Sequence, residues 1–121
     1  MIQAGQVVLF RFPQTDLSPG KLRPALVIGS LPGDFNDWLV CMISTQTHQF
    51  NEDFDELIAD TDADFDTTGL HHASLIRTGR LAVVDANVLV GTLGKVSEER
   101  LIRIKTNLAN WPDCSIYLSQ P

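Results

Sequence analysis

Cysteine is nearly absent from this chain. Of 121 residues only Cys41 and Cys114 are cysteines, and they stand too far apart to match a metal-ligand motif or a disulfide framework. Both are expected as reduced thiols in the core or at the surface. No apolar run approaches the length of a bilayer span. The first ten residues, MIQAGQVVLF, hold no cation and no small-residue cleavage site, so no signal peptide is expected. Internal repeats and low-complexity linkers are also missing. These absences leave a cytoplasmic globular chain with no membrane association. With 44% hydrophobic and 20% charged residues, it belongs with folded rather than disordered sequences. Its length fits one domain over residues 1–121 with a single core.

Cations are missing from one stretch altogether. Between Glu52 and Asp66 there are eight acids and no Lys or Arg. The net charge is −6, yet outside that stretch nine cations face seven acids, so the rest of the chain stands at +2. The distribution therefore leaves room for a polyanionic ligand. Asp60, Asp62, Asp64 and Asp66 alternate as in a calcium loop. The EF-hand pattern needs Gly at its sixth position and Glu at its twelfth, where this chain has Phe65 and His71, so no metal site is expected. The segment reads either as a solvated loop or edge strand, or as a nucleic-acid mimic folded over a cationic groove and pinned by Phe50, Phe54 and Phe65. His71 and His72 are adjacent, so on a strand they point to opposite faces and seldom serve one ion.

What the sequence does have is a series of short apolar runs. QVVLFRF (Gln6 to Phe12), ALVIGS (Ala25 to Ser30) and WLVCMIS (Trp38 to Ser44) read as strands rich in β-branched and aromatic residues. Their continuity suits burial on both faces. Phe54 to Ile58, ASLIR (Ala73 to Arg77) and LAVVD (Leu81 to Asp85) are shorter candidates, and VLVGTLGKV (Val88 to Val96) is an irregular strand broken by Gly91 and Gly94. One helix is clear, in SEERLIRIKTNLANW. Ser97 is its N-cap, Glu98 and Glu99 suit its first turn, and Leu101, Ile104, Lys105 and Leu108 form its inner face. Asn110 and Pro112 help to end it. Several strands followed by one helix predict a mainly β fold, a small curled barrel with the helix packed on it. Trp38 and Trp111 sit beside apolar runs and are expected in the core or at a subunit interface.

In DLSPGKLRPALVI (Asp16 to Ile28), a Pro/Gly turn leads through Lys21 and Arg23 straight into an apolar strand. Pro24 biases Arg23 toward an extended backbone. The stretch resembles the first two strands of the MazF/PemK-like toxins, the growth inhibitors of type II toxin–antitoxin pairs. WLVCMISTQ is similar to their third strand and its Thr/Ser-rich exit, and DANVLVGTLGKVSEERLIRIKTNL to their closing segment. The resemblance covers roughly Gly5 to Leu108 and is weakest in the acidic middle.

The resemblance implies an SH3-like small β-barrel of the MazF/PemK/CcdB type, a homodimer, and a cognate antitoxin that buries the RNA groove. It implies metal-independent cleavage of single-stranded RNA by attack of a ribose 2′-OH, with no cofactor. Arg23 matches the Arg of the family's Arg-Pro pair, and a guanidinium fork can meet two non-bridging phosphate oxygens; the alternative is a strand-edge arginine paired with an acid such as Asp16. Ser44 and Thr45 match the family's hydroxyl pair, either touching phosphate or capping the strand. Arg77 matches a second arginine in an Arg-x-Asp-Lys block; the alternative is that Arg77 and Arg80 form a solvated pair on a sheet edge. Here that block reads Arg77-Thr78-Gly79-Arg80, so the carboxylate some members use as general base is a glycine. Leu17 and Ser18 stand where some members carry further catalytic loop residues. Lys21, Gln46, His48 and Arg80 are expected to contact RNA; if the third strand continues, Ser44, Gln46 and His48 share one face, with His48 the nearest imidazole. Asp85 and Asn87 look structural. The alternative is a non-catalytic relative that binds RNA or an antitoxin without cutting.

Overall fold

A computed structural model describes residues 2–11, 21–52 and 54–110. Residues 12–20, with Asp16, Leu17 and Ser18 among them, lie outside the described residues, as do Trp111, Pro112 and Cys114. The elements run β1 (Gln6–Arg11), β2 (Leu22–Ser30), β3 (Asp37–Ser44), a 3-10 turn (Thr47–Gln49), β4 (Glu56–Ile58), α1 (Phe65–Thr68), β5 (Ser74–Asp85), a second 3-10 turn (Ala86–Val88), β6 (Gly91–Lys95) and α2 (Glu98–Ala109). The strands form one antiparallel sheet in the order β4-β5-β3-β2-β1-β6. It curls into a half-barrel, mainly β with one closing helix, which is the architecture expected for the MazF type.

The double-sided burial read from the apolar runs is present. Ala25 to Ile28 are all buried. Leu26, Ile28, Cys41, Ile43 and Ile76 face one cluster, closed by Ile104 of α2. Val8, Phe10, Ala25, Val27, Val40 and Val84 form a second cluster on the other face, with Trp38 packed at its edge. Trp38 also donates its indole N–H to Asn36 Oδ1 at 2.9 Å. Cys41 lies within the first cluster, where burial and, second, the negative Asp55 push its thiol up to about 12. It therefore stays a protonated, unreactive core thiol at neutral pH.

Three readings change. ASLIR and LAVVD are one strand, β5. Met42 of β3 pairs with Arg77 while its neighbour Cys41 pairs with Leu81, so Thr78, Gly79 and Arg80 bulge out without ending the strand. Pro24 falls inside β2, a central strand, but the described ladder to β3 starts only at Ala25, where a missing N–H is tolerated. The helix face also differs. Ser97 caps α2 as expected, its Oγ accepting from the Arg100 N–H at 3.2 Å. Lys105, however, is exposed, and Arg100 is buried beside Ile104.

β6 depends on its second glycine. Val7 pairs with Gly94 and Val8 with Thr92, so Leu93 is an extra residue. This bulge lets β6 lie against α1, where a Cβ on Gly94 would collide with the carbonyls of Thr67 and Thr68. Gly94→Ala is expected to lower stability by about 1–3 kcal/mol through overpacking. Urea unfolding at neutral pH would show this as a lower midpoint with the slope unchanged.

Candidate nucleic-acid interface

Strand register determines which side chains can meet. Phe10 pairs with Arg23 and Val8 with Ala25; Ala25 pairs with Met42, and Met42 with Arg77. Paired residues share a face, and so do alternate residues of one strand. Arg23, Met42 and Arg77 therefore project from the same face, the one opposite α2. The register carried two residues further sets Arg23 in line with Ser44, the last residue of β3. With strands about 4.8 Å apart and a rise of about 3.3 Å per residue, the two arginine Cα atoms are about 12 Å apart. Two long side chains from such positions can converge on one phosphate between them.

Arg23 is half-buried, Lys21 and Arg80 are exposed, and none of the three forms an ion pair with a described residue. Three of the acids lie elsewhere. Glu56, Asp62 and Asp64 surround Arg100 on the helix face, with bonds of 3.1, 2.9 and 2.9 Å, and Glu56 also holds Arg103 at 2.7 Å. Part of the acidic segment is thus a clamp on α2. Glu56 lies in β4, so the edge-strand reading holds there, while Asp62 and Asp64 face Arg100 on the helix side. Asp62 and Asp64, two members of the calcium-like alternation, are occupied by a guanidinium. A concavity of about 1050 Å³ is also on the helix side, lined by Gly5, Asp64, Thr67, Lys95 and Leu101 among others, and takes in none of the expected site residues.

The hydroxyls and the imidazole gather at the exit of β3. Ser44 is buried, and its Oγ accepts from the Gln46 N–H at 3.0 Å. This is the strand-capping alternative: the hydroxyl turns the chain out of β3. Thr45 and Gln46 are exposed in that turn. The strand does not continue, so the shared face of Ser44, Gln46 and His48 does not form. His48 sits exposed in the 3-10 turn that follows. His71 and His72 are exposed in a bend, and Asp85 Oδ1 accepts from the Asn87 N–H at 2.8 Å, a structural contact.

A family model described as "PemK-like, MazF-like toxin of type II toxin-antitoxin system" matches residues 3–111. The chain belongs to this family. This toxin also resembles solved structures at low identity. One is described as an endoribonuclease in complex with its cognate antitoxin from Mycobacterial species, with a TM-score of 0.65, 15% identity and full coverage of both chains. Another is the Mycobacterium tuberculosis toxin MazF-mt6, with a TM-score of 0.61 and 14% identity over 87% of this toxin and 93% of that chain. At such identity the likeness speaks for the fold. A comparison with curated proteins gives no significant match. Among the described residues no helix is long and apolar enough to cross a membrane.

Proposed function

We propose that this toxin is a metal-independent endoribonuclease that cuts single-stranded RNA in the cytoplasm, acting as a single-domain chain in a homodimer. The observation that carries the reading is the placement of Arg23 and Arg77 on one face of the sheet, on opposite sides of β3. In the reaction a ribose 2′-OH loses its proton and its oxygen bonds to the adjacent phosphorus. The bond from phosphorus to the 5′ oxygen breaks, and that oxygen takes up a proton. The products are a 2′,3′-cyclic phosphate and a free 5′-OH. Charge grows on the non-bridging oxygens along the way, where a guanidinium fork stabilises it. Arg23 and Arg77 supply that stabilisation. Ser44 shapes the exit of β3, Thr45 and Gln46 border the strand of RNA, and Lys21, His48 and Arg80 contact its backbone.

An antitoxin covering this face would act by blocking the groove, and a structural relative described with its cognate antitoxin supports that partner class. The test is incubation of the purified protein with single-stranded RNAs of varied sequence in excess EDTA. The expected result is fragments ending in a cyclic phosphate, with growth arrest when the protein is expressed. Intact RNA together with normal growth would instead favour a binding module that has lost its base with Gly79.

A further inference from the structure

The bulge in β5 has an aromatic seated on it. Of its three extra residues, Thr78 turns inward and is fully buried, while Gly79 and Arg80 are exposed. Phe54 precedes β4 by two residues, and a Cβ built on Gly79 would come within 2.9 Å of its Cε2. Any side chain at position 79 would therefore push the ring away. The turn that carries the ring is also fixed from its own side. The Phe54 and Asp55 N–H groups both donate to the Asn51 carbonyl, at 3.1 and 2.8 Å, and the buried Asp55 carboxylate accepts from the Asn51 N–H at 3.2 Å. Phe54 is thus a half-buried aromatic on a tight turn, packed against Gly79, which Arg80 follows directly and Arg77 precedes by two residues.

This arrangement suits one ligand chemistry. Unpaired bases of single-stranded RNA expose π-faces, and proteins bind them by pairing aromatic rings with nearby cations that follow the backbone. Resting on the endoribonuclease reading above, we infer that Phe54 is a stacking platform for an unpaired nucleobase next to the phosphate held by Arg77. Gly79 serves this platform as the seat of the ring. A protein partner could also use an aromatic, but the exposed Arg80, without an ion pair to any described residue, favours a polyanion.

The test compares wild type, Phe54→Leu and Phe54→Trp for binding to a single-stranded 2′-fluoro RNA, which lacks the attacking hydroxyl and stays intact. Phe54→Leu keeps apolar volume without a π-face and is expected to bind roughly ten-fold more weakly, with an unchanged unfolding midpoint. Phe54→Trp is expected to retain affinity, with emission quenched by RNA beyond that of wild type. Gly79→Ala should weaken binding as Phe54→Leu does, and the double variant should lose no more than either single one. Equal affinity of Phe54→Leu and wild type, with wild-type cleavage intact, overturns the inference alone. Should Phe54→Leu fail to fold, an unquenched Phe54→Trp overturns it. A wild type that neither binds nor cuts RNA overturns the endoribonuclease reading, and the inference with it.

Discussion

Arg23→Ala is expected to lower the single-turnover cleavage rate by about 10²–10³-fold, the size of effect seen when one preorganised donor to a developing oxyanion is removed. Affinity for uncleaved RNA should fall much less, because the backbone keeps its other cationic contacts. The split between rate and affinity separates transition-state stabilisation from simple phosphate attraction. Arg23→Lys sharpens the test: it keeps the charge but loses the planar fork, so most of the rate should remain lost. Stability should be nearly unchanged, since Arg23 is only half-buried and pairs with no described carboxylate. Cleavage at the wild-type rate in Arg23→Ala would remove the proposed site.

Much of this fold could be read from the chain because local composition and tertiary pairing agree. β1, β2 and β3 are continuous apolar runs, and α2 carries a serine cap and acids in its first turn. What could not be read depends on partners distant in sequence. Thr78-Gly79-Arg80 has the composition of a turn and acts as a bulge, because β3 pairs with both halves of β5. Ser44 ends its strand by taking the Gln46 N–H, so an alternation that runs on through the letters stops in space. The residue names of the site came from short blocks resembling a family. Their gathering on one face came from register across three strands, which no local pattern contains.

Arg100 is the clearest case of a hidden partner, and replacing it carries the largest expected effect on stability. Its side chain is only 6% exposed, and its partners Asp64 and Glu56 lie 36 and 44 residues away in sequence. Its guanidinium donates to both carboxylate oxygens of Asp64, to Asp62, to Glu56 and to the Leu57 carbonyl. Burial alone would lower the pKa of Arg100; its bonds to Asp64, Asp62 and Glu56 outweigh that and raise it. Arg100→Met keeps the stem but leaves the carboxylates facing an apolar group. The loss should be about 3 kcal/mol, at the low end for a broken buried pair, because Glu56 retains Arg103 and Asp62 is 36% exposed.

Acid reports on the same clamp. Hydrogen bonding from Arg100 holds the Asp64 carboxyl well below the usual carboxylate range, against the opposing effect of burial. A depressed folded-state pKa stabilises the fold above the ordinary aspartate value of about 4 and ceases to do so as pH falls toward the folded value. Wild-type stability should therefore decline on acidification below about pH 5, and Asp64→Asn should flatten that decline. In Arg100→Met the carboxylates have lost their cation and gain from protonation, so the gap to wild type should narrow between pH 7 and pH 4. Urea midpoints at pH 7, 5 and 4 for the three proteins measure this directly. A gap that stays constant with pH would mean that Arg100 stabilises the helix by packing alone and that the charges around it are incidental.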